Sequence, residues 1–296
     1  MALFGEPLLL DGGLGTHLES QGCDITGPLW SARVLRENPT LIESAHADFF
    51  AAGAQVATTA SYQVTFDVLG EEAEELLRRS VAVAREAVRV AVDKRTAHGD
   101  LLVAASIGPY GAGPGRGTDY NGAYDLRRGE LQRWHARRIA VLADTDADFL
   151  LAETIPNVDE AAALLELLKA QPKPFALSIT GAIAADPEQL SRVIELANQS
   201  PRLGAVGVNC VSPSQACAVV EHMRKATDKP LLACPNSGEI WDHGACDWRP
   251  APVGAMGLTE AAATMHAAGV SLLGGCCRVG PAEIRQLRRS IRFDGK

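Results

Sequence analysis

Eight short apolar runs divide the chain: Pro7–Leu10, Ala54–Thr59, Leu101–Ile107, Asp148–Ala152, Pro174–Thr180, Ala205–Cys210, Pro230–Cys234 and Val270–Gly274. Most are continuously apolar rather than alternating, the pattern of strands buried on both faces. The stretches between them are long enough for crossover helices. The clearest is Glu71–Val92, where Leu76, Leu77, Val81, Ala84, Val88 and Val92 recur at three- and four-residue steps, with acids first and arginines later. Asn157–Ala170 opens with Asn and Asp and is rich in Ala and Leu; Pro281–Arg292 opens with Pro and puts Ile284, Leu287 and Ile291 on one face. Eight strand–helix units in succession predict one (β/α)8 barrel of the TIM type over residues 1–296. An open doubly wound sheet is the competing arrangement, but no unit is left over for it.

Composition narrows the function classes. The 28 basic and 36 acidic side chains give a formal charge of −8, against a general nucleic-acid binder. No run of about 18 uncharged apolar residues is present, so no membrane span is expected. Met1–Leu10 carries Glu6 and no basic region, unlike a signal peptide, and the chain reads as cytoplasmic. Its seven cysteines are then expected to be free, metal-bound or reactive rather than a disulfide set.

Three segments after strand ends are too long for bare turns: Gly12–Pro39, Gly108–Gly129 (with Tyr110, Tyr120 and Tyr124) and Asn236–Gly257 (with Trp241 and Trp248). They fall on the face where barrel enzymes build their sites. The glycines of the second segment lack the Lys-Ser/Thr of a phosphate loop and read as a flexible lid. Cys210 closes Gly-Val-Asn-Cys after the sixth run, and Cys276 and Cys277 close Gly-Gly-Cys-Cys after the eighth. In a closed barrel these ends converge, and three thiolates there would bind zinc with one position open, as in catalytic sites. The alternative is that they are small buried apolar residues. Cys217 reads as helix core, and Cys23, Cys234 and Cys246 as candidate fourth ligands. His17, His46 and His135 show no spacing that suggests a second metal site.

Further motifs carry a resemblance. Leu10-Asp11-Gly12-Gly13, Leu29-Trp30-Ser31-Ala32, Thr59-Ala60-Ser61-Tyr62-Gln63, Gly108-Pro109-Tyr110-Gly111, Glu153-Thr154, Gly207-Val208-Asn209-Cys210, Pro235-Asn236-Ser237-Gly238-Glu239 and Gly274-Gly275-Cys276-Cys277-Arg278 together resemble the homocysteine S-methyltransferase family over nearly the whole chain. The resemblance implies zinc held by Cys210, Cys276 and Cys277, with homocysteine sulfur as fourth ligand. It implies that Asp11 and Glu153 hold the ammonium group of the amino acid, and that Trp30 and Tyr62 lie near the methyl donor and the metal. Asn209 and Asn236 lie beside matched motifs and are candidate substrate contacts.

The chemistry suits those roles. A free thiol has a pKa of about 8.5 and is mostly protonated at neutral pH; a metal removes that proton. A cationic donor is attracted to the excess negative charge and to aromatic faces. The family's branches use S-methylmethionine, S-adenosylmethionine, betaine or a methylated folate. The folate branch carries extra domains and the betaine branch a longer C-terminal extension, so a sulfonium donor and methionine as product are expected. Cys234 stands where relatives often have an aromatic residue, and Ser178-Ile179-Thr180-Gly181 lacks the charged residues often seen there; both bear on the donor. The other readings are a betaine-type or other thiol or selenol methyltransferase of the same fold, a metal-dependent lyase or hydrolase, and a non-catalytic zinc or redox sensor.

Overall fold

The computed structural model describes residues 2–25, 29–97, 99–114, 117–242 and 247–291, with the backbone alone at residues 2, 30, 240–242 and 247. Eight parallel strands form the barrel: β1 (Leu8–Leu9), β2 (Val56–Thr58), β3 (Leu102–Ile107), β4 (Phe149–Ile155), β5 (Phe175–Ile179), β6 (Leu203–Asn209), β7 (Leu231–Cys234) and, after a two-stranded hairpin of β8 (Ile240–Asp242) and β9 (Asp247–Arg249), β10 (Val270–Leu273). The hydrogen-bonded order is β1-β10-β7-β6-β5-β4-β3-β2, and a parallel bridge between Leu10 and Val56 joins the two edges. The eight apolar runs are these eight strands. The fourth extends past Ala152 to Ile155, which places Glu153 inside the strand rather than after it.

Helices return the chain between strands. They are α1 (Leu14–Ser20), α2 (Trp30–Glu37), α3 (Pro39–Ala52), α4 (Phe66–Leu69), α5 (Glu72–Asp93), α6 (Arg128–Ala143), α7 (Val158–Leu168), α8 (Gly181–Ala185), α9 (Pro187–Asn198), α10 (Pro213–Ala226), α11 (Leu258–Ala267) and α12 (Pro281–Ser290). Their starts follow local chemistry. Asn157 caps α7 by accepting from Glu160 N, Asp186 caps α9, and Pro occupies the first turn of α3, α9, α10 and α12. Among the described residues no helix is long and apolar enough to cross a membrane.

The barrel separates two cores. The larger lies between strands and helices; the smaller fills the lumen with Phe4, Leu8, Leu10, Val56, Ala104, Phe149, Leu151, Ala176, Ala205, Leu232 and Leu272. Phe4, from a short turn before β1, plugs the N-terminal end edge-on to Phe149, ring centroids 5.2 Å apart. The segments after the strands hold more structure than the sequence suggests. Gly12–Pro39 contains α1 and α2, and Asn236–Gly257 contains the hairpin.

Candidate metal centre

Side chains in a strand alternate between faces, so the lumen rows can be followed upward. Val56 leads to Thr58, Ala104 to Ser106, Phe149 and Leu151 to Glu153, Ala176 to Ser178, and Ala205 through Gly207 to Asn209. Each row begins apolar and turns polar at the C-terminal end. The polar layer is internally bonded. Ser106 Oγ donates to Glu153 Oε1 and Ser178 Oγ to Asn209 Oδ1 (2.7 Å). Asp11, just past β1, accepts from Thr58 N at 2.7 Å and from Thr58 Oγ1 at 2.8 Å.

Above this layer the three cysteines meet. The Sγ atoms of Cys210, Cys276 and Cys277 all lie within 4.8 Å of one another, with Cys210 and Cys277 at 3.8 Å. Cys210 and Cys276 are joined as a disulfide, Cα atoms 5.5 Å apart, where the sequence reading expects no disulfide. The strand ends converge closely enough for either arrangement. A bonded pair and two thiolate ligands are mutually exclusive, so metal binding here requires the reduced thiols.

The backbone around the cluster is tightly specified. Cys276 N donates to Pro235 O (2.8 Å), Ser237 N to Cys277 O (3.1 Å) and Cys277 N to Asn236 Oδ1 (3.1 Å). Asn236 thus splints the cysteine turn. Asn209 does the same for β4: its Oδ1 accepts from Thr154 N (2.8 Å) and its Nδ2 donates to Thr154 Oγ1 (2.7 Å). Its polar atoms are engaged within the barrel, which suits a framing role better than the expected substrate contact. Of the four described non-glycine residues with positive φ, three sit here: Thr154 (59°), Cys210 (54°) and Arg278 (64°). Backbone strain of this kind clusters at functional sites.

Electrostatics marks the same place. Burial pushes the Asp11 carboxyl up to about 8 and Glu153 up to about 7. Among the described residues neither has a lysine or arginine at ion-pair distance. Burial also raises the Cys277 thiol to about 11. The Tyr62 hydroxyl donates to Asp119 Oδ2 at 3.3 Å, and its own pKa is driven well up by burial. Tyr120 is 38% exposed, and its phenol is pushed well up, chiefly by the neighbouring Cys277. Trp30 opens α2, but its side chain, like that of Trp241, lies outside the described residues.

The structure does not bring the other cysteines into the cluster. Cys234 is buried, Cys23 packs on the outer core, Cys217 faces Met256 Sδ at 3.7 Å, and Cys246 lies outside the described residues. Sequence reasoning missed Ser106, Thr58, Thr154, Asp119 and Tyr120. Ser106 and Thr58 were open to a period-two reading of the strands, Thr154 lies in β4 beside Glu153, and Asp119 and Tyr120 depend on a loop path. Described residues of the Gly108–Gly129 segment, expected to form a flexible lid, are bonded to α6 and α7. Tyr110 N (2.7 Å) and Tyr124 Oη bond to Glu160, and Arg138 donates to Gly108 O.

Comparison with known proteins agrees with this geometry. Residues 8–291 match a family profile described as homocysteine S-methyltransferase. A homocysteine S-methyltransferase of Escherichia coli is 40% identical over 291 residues, covering 95% of this chain and 94% of the relative. A selenocysteine Se-methyltransferase of Brassica oleracea is 39% identical, covering 96% and 88%. Crystal structures of the homocysteine methyltransferase MmuM from Escherichia coli superpose with TM-scores of 0.85 (metallated form, 37% identity, 98% and 99% coverage) and 0.84 (oxidized form, 38%, 96% and 96%).

Proposed function

The chain belongs to the homocysteine S-methyltransferase family, and from that premise we propose that it moves a methyl group from a sulfonium donor, S-methylmethionine first and S-adenosylmethionine second, to the thiol of homocysteine, giving methionine. The observation that carries this reading is the convergence of three cysteine sulfurs over Asp11 and Glu153, carboxylates with no lysine or arginine at ion-pair distance among the described residues. We read one barrel, residues 1–296, as sufficient for the reaction, and the reducing cytoplasm as its place, since the thiols must stay reduced.

The cysteine set fits zinc. Tetrahedral zinc with bonds of about 2.3 Å to sulfur places its ligands roughly 3.8 Å apart, and the Cys210–Cys277 separation is 3.8 Å. Cys210, Cys276 and Cys277 would hold the ion and leave one position for the substrate sulfur. Bound there, zinc supplies a Lewis acid that favours the substrate thiolate at neutral pH. The protein does the rest. Asp11 and Glu153 take the α-ammonium, a cation that offsets the cost of two buried carboxylates. Thr58 and Ser106 hold those carboxylates in place, and Asn209 and Asn236 frame the strand ends. Tyr62, oriented by Asp119, offers an aromatic face for a cationic donor, a role the family resemblance also gives Trp30. Alignment of sulfur, methyl carbon and leaving group then governs the displacement.

The test is methionine formation by the reduced, zinc-loaded protein with homocysteine and each donor in turn: S-methylmethionine, S-adenosylmethionine, betaine and methyltetrahydrofolate. Turnover with a sulfonium donor is expected. No turnover with any donor, with one zinc bound, overturns the reading. The Brassica relative favours selenocysteine as a second acceptor, and one assay arm should contain it.

A further inference from the structure

His46 lies on α3 with its side chain fully buried, and neither ring nitrogen has a hydrogen-bond partner. Its Nδ1 is 4.0 Å from Asp11 Oδ2. Such a residue is costly, because two polar atoms have left water without compensation. Burial holds the imidazole near 4, so it is neutral at physiological pH, with one nitrogen that donates and one that accepts. The other groups facing Asp11 are Thr58 from β2, whose two donors it already accepts, Glu153 from β4 and Cys234 from β7. None of these is a cation. Among the described residues facing Asp11, His46 is the one nitrogen that can donate a further hydrogen bond to the ionised carboxylate and accept one from the protonated carboxyl.

We propose that His46 is a positioning residue for the amino-acid subsite: when the substrate ammonium arrives, the His46 ring closes its 4.0 Å gap and donates Nδ1–H to Asp11 Oδ2. The carboxylate then has Thr58 and His46 on its protein side and turns its remaining lone pairs to the ammonium. The orphaned Nδ1 of the free protein is the cost of a bond made in the complex. This inference rests on the assignment of Asp11 to the substrate ammonium.

Methionine carries the same ammonium without a thiol, so its binding can be measured by calorimetry on the reduced, zinc-loaded protein without turnover. In His46→Leu, methionine binding should weaken about ten- to hundredfold, the size of one hydrogen bond to a charged group. In turnover the loss should fall on KM for homocysteine rather than on kcat. The melting temperature of the ligand-free variant should stay level or rise by about 2–4 °C, because the buried orphan is gone. His46→Gln, which retains a donor and an acceptor, should recover most of the affinity. Wild-type affinity in His46→Leu overturns the proposal, as does equal loss in both variants. Should His46→Leu fail to fold, ring 15N shifts of wild-type His46 decide: a change on adding methionine supports the new bond, and none overturns it. If wild-type protein binds neither methionine nor homocysteine, the assignment of the subsite fails and this inference with it; binding without a His46 effect leaves the subsite standing.

Discussion

Two buried polar clusters lie at the C-terminal side of the barrel, and they solve the problem of burial in opposite ways. Beneath the Gly108–Gly129 segment, Glu160 Oε1 accepts from Tyr110 N (2.7 Å) and from His135 Nε2 (2.8 Å), and Oε2 accepts from Tyr124 Oη. Arg138 donates to His135 Nδ1 at 3.1 Å, which makes Nε2 the protonated ring nitrogen, and its guanidinium lies 4.6 Å from the Trp134 ring centroid. Arg138 keeps Nε and Nη1 unpartnered, but the carboxylate and imidazole are fully engaged. At the mouth, among the described residues, Asp11 and Glu153 have no lysine or arginine at ion-pair distance, and neither ring nitrogen of His46 has a hydrogen-bond partner. His46 and His135 are both pushed down to about 4 by burial, so titration does not separate the two clusters. Hydrogen bonding does. In one cluster the carboxylate and the imidazole are bonded within the protein; in the other, among the described residues, the imidazole is not.

The contrast is broken most severely at the thiols. Cys276→Ser should abolish stoichiometric zinc binding and lower turnover by at least about a thousandfold, because an alcohol is a poor ligand for a thiolate-type zinc site. The melting temperature of the metal-free protein should move by only a few degrees, about 1–2 kcal/mol. Metal analysis, turnover and melting read on one preparation give all three quantities. Full activity with one zinc bound would remove Cys276 from the centre.

The second cluster should respond in the reverse order. Glu160→Gln removes the acceptor shared by Tyr110 N, Tyr124 Oη and His135 and the negative charge that faces buried Arg138 across His135; leaving a buried charge uncompensated costs about 3–5 kcal/mol. A lowering of the melting point by roughly 6–20 °C is expected at this chain length. KM for homocysteine in the fraction that stays folded should be near that of the wild type. A variant as stable as wild type but with impaired binding would mean that the segment above Glu160 belongs to the site rather than to its frame.

This division explains what the sequence showed and what it hid. The eight strands were legible because strands buried on both faces are apolar throughout, and the helices between them because their apolar residues keep a period near 3.6. Cys210 and the Cys276–Cys277 pair were legible because strand ends must converge in a closed barrel. Glu153 stood out as a charge after an apolar run. The Glu160–His135–Arg138 cluster was not legible. Its members lie on two helices, and the pairing is fixed by how α6 and α7 pack, which no spacing within either helix reveals. His46 reads as an ordinary helix residue until its distance to Asp11 is known. The disulfide was missed for a related reason: sequence gives convergence of the cysteines, not the separation of two sulfurs within a cluster of three.

The smallest effect, and the sharpest separation, concerns pH. Glu153 and Asp11 are raised to about 7 and about 8, so below neutrality both carboxyls of the ligand-free site hold protons. Binding an ammonium requires their ionised forms. Between roughly pH 5.5 and 7 an amino acid's ammonium stays protonated, so methionine affinity should fall about tenfold per pH unit on acidification for each carboxylate that must ionise. Glu153→Gln should remove one such power of ten from the slope. Stability should run the other way. A carboxyl raised by burial keeps its proton longer in the folded state, so its contribution to stability is full below the unfolded-state pKa and is lost as pH rises through the folded one. The ligand-free wild type should therefore lose stability from about pH 4 to 8, and Glu153→Gln, which keeps only the Asp11 part, should lose less. Calorimetric titrations and melting curves over that window test both signs. A pH-independent methionine affinity in the wild type would show that neither carboxylate receives the ammonium, and the mouth would lose the ligand that distinguishes it from the Glu160 cluster.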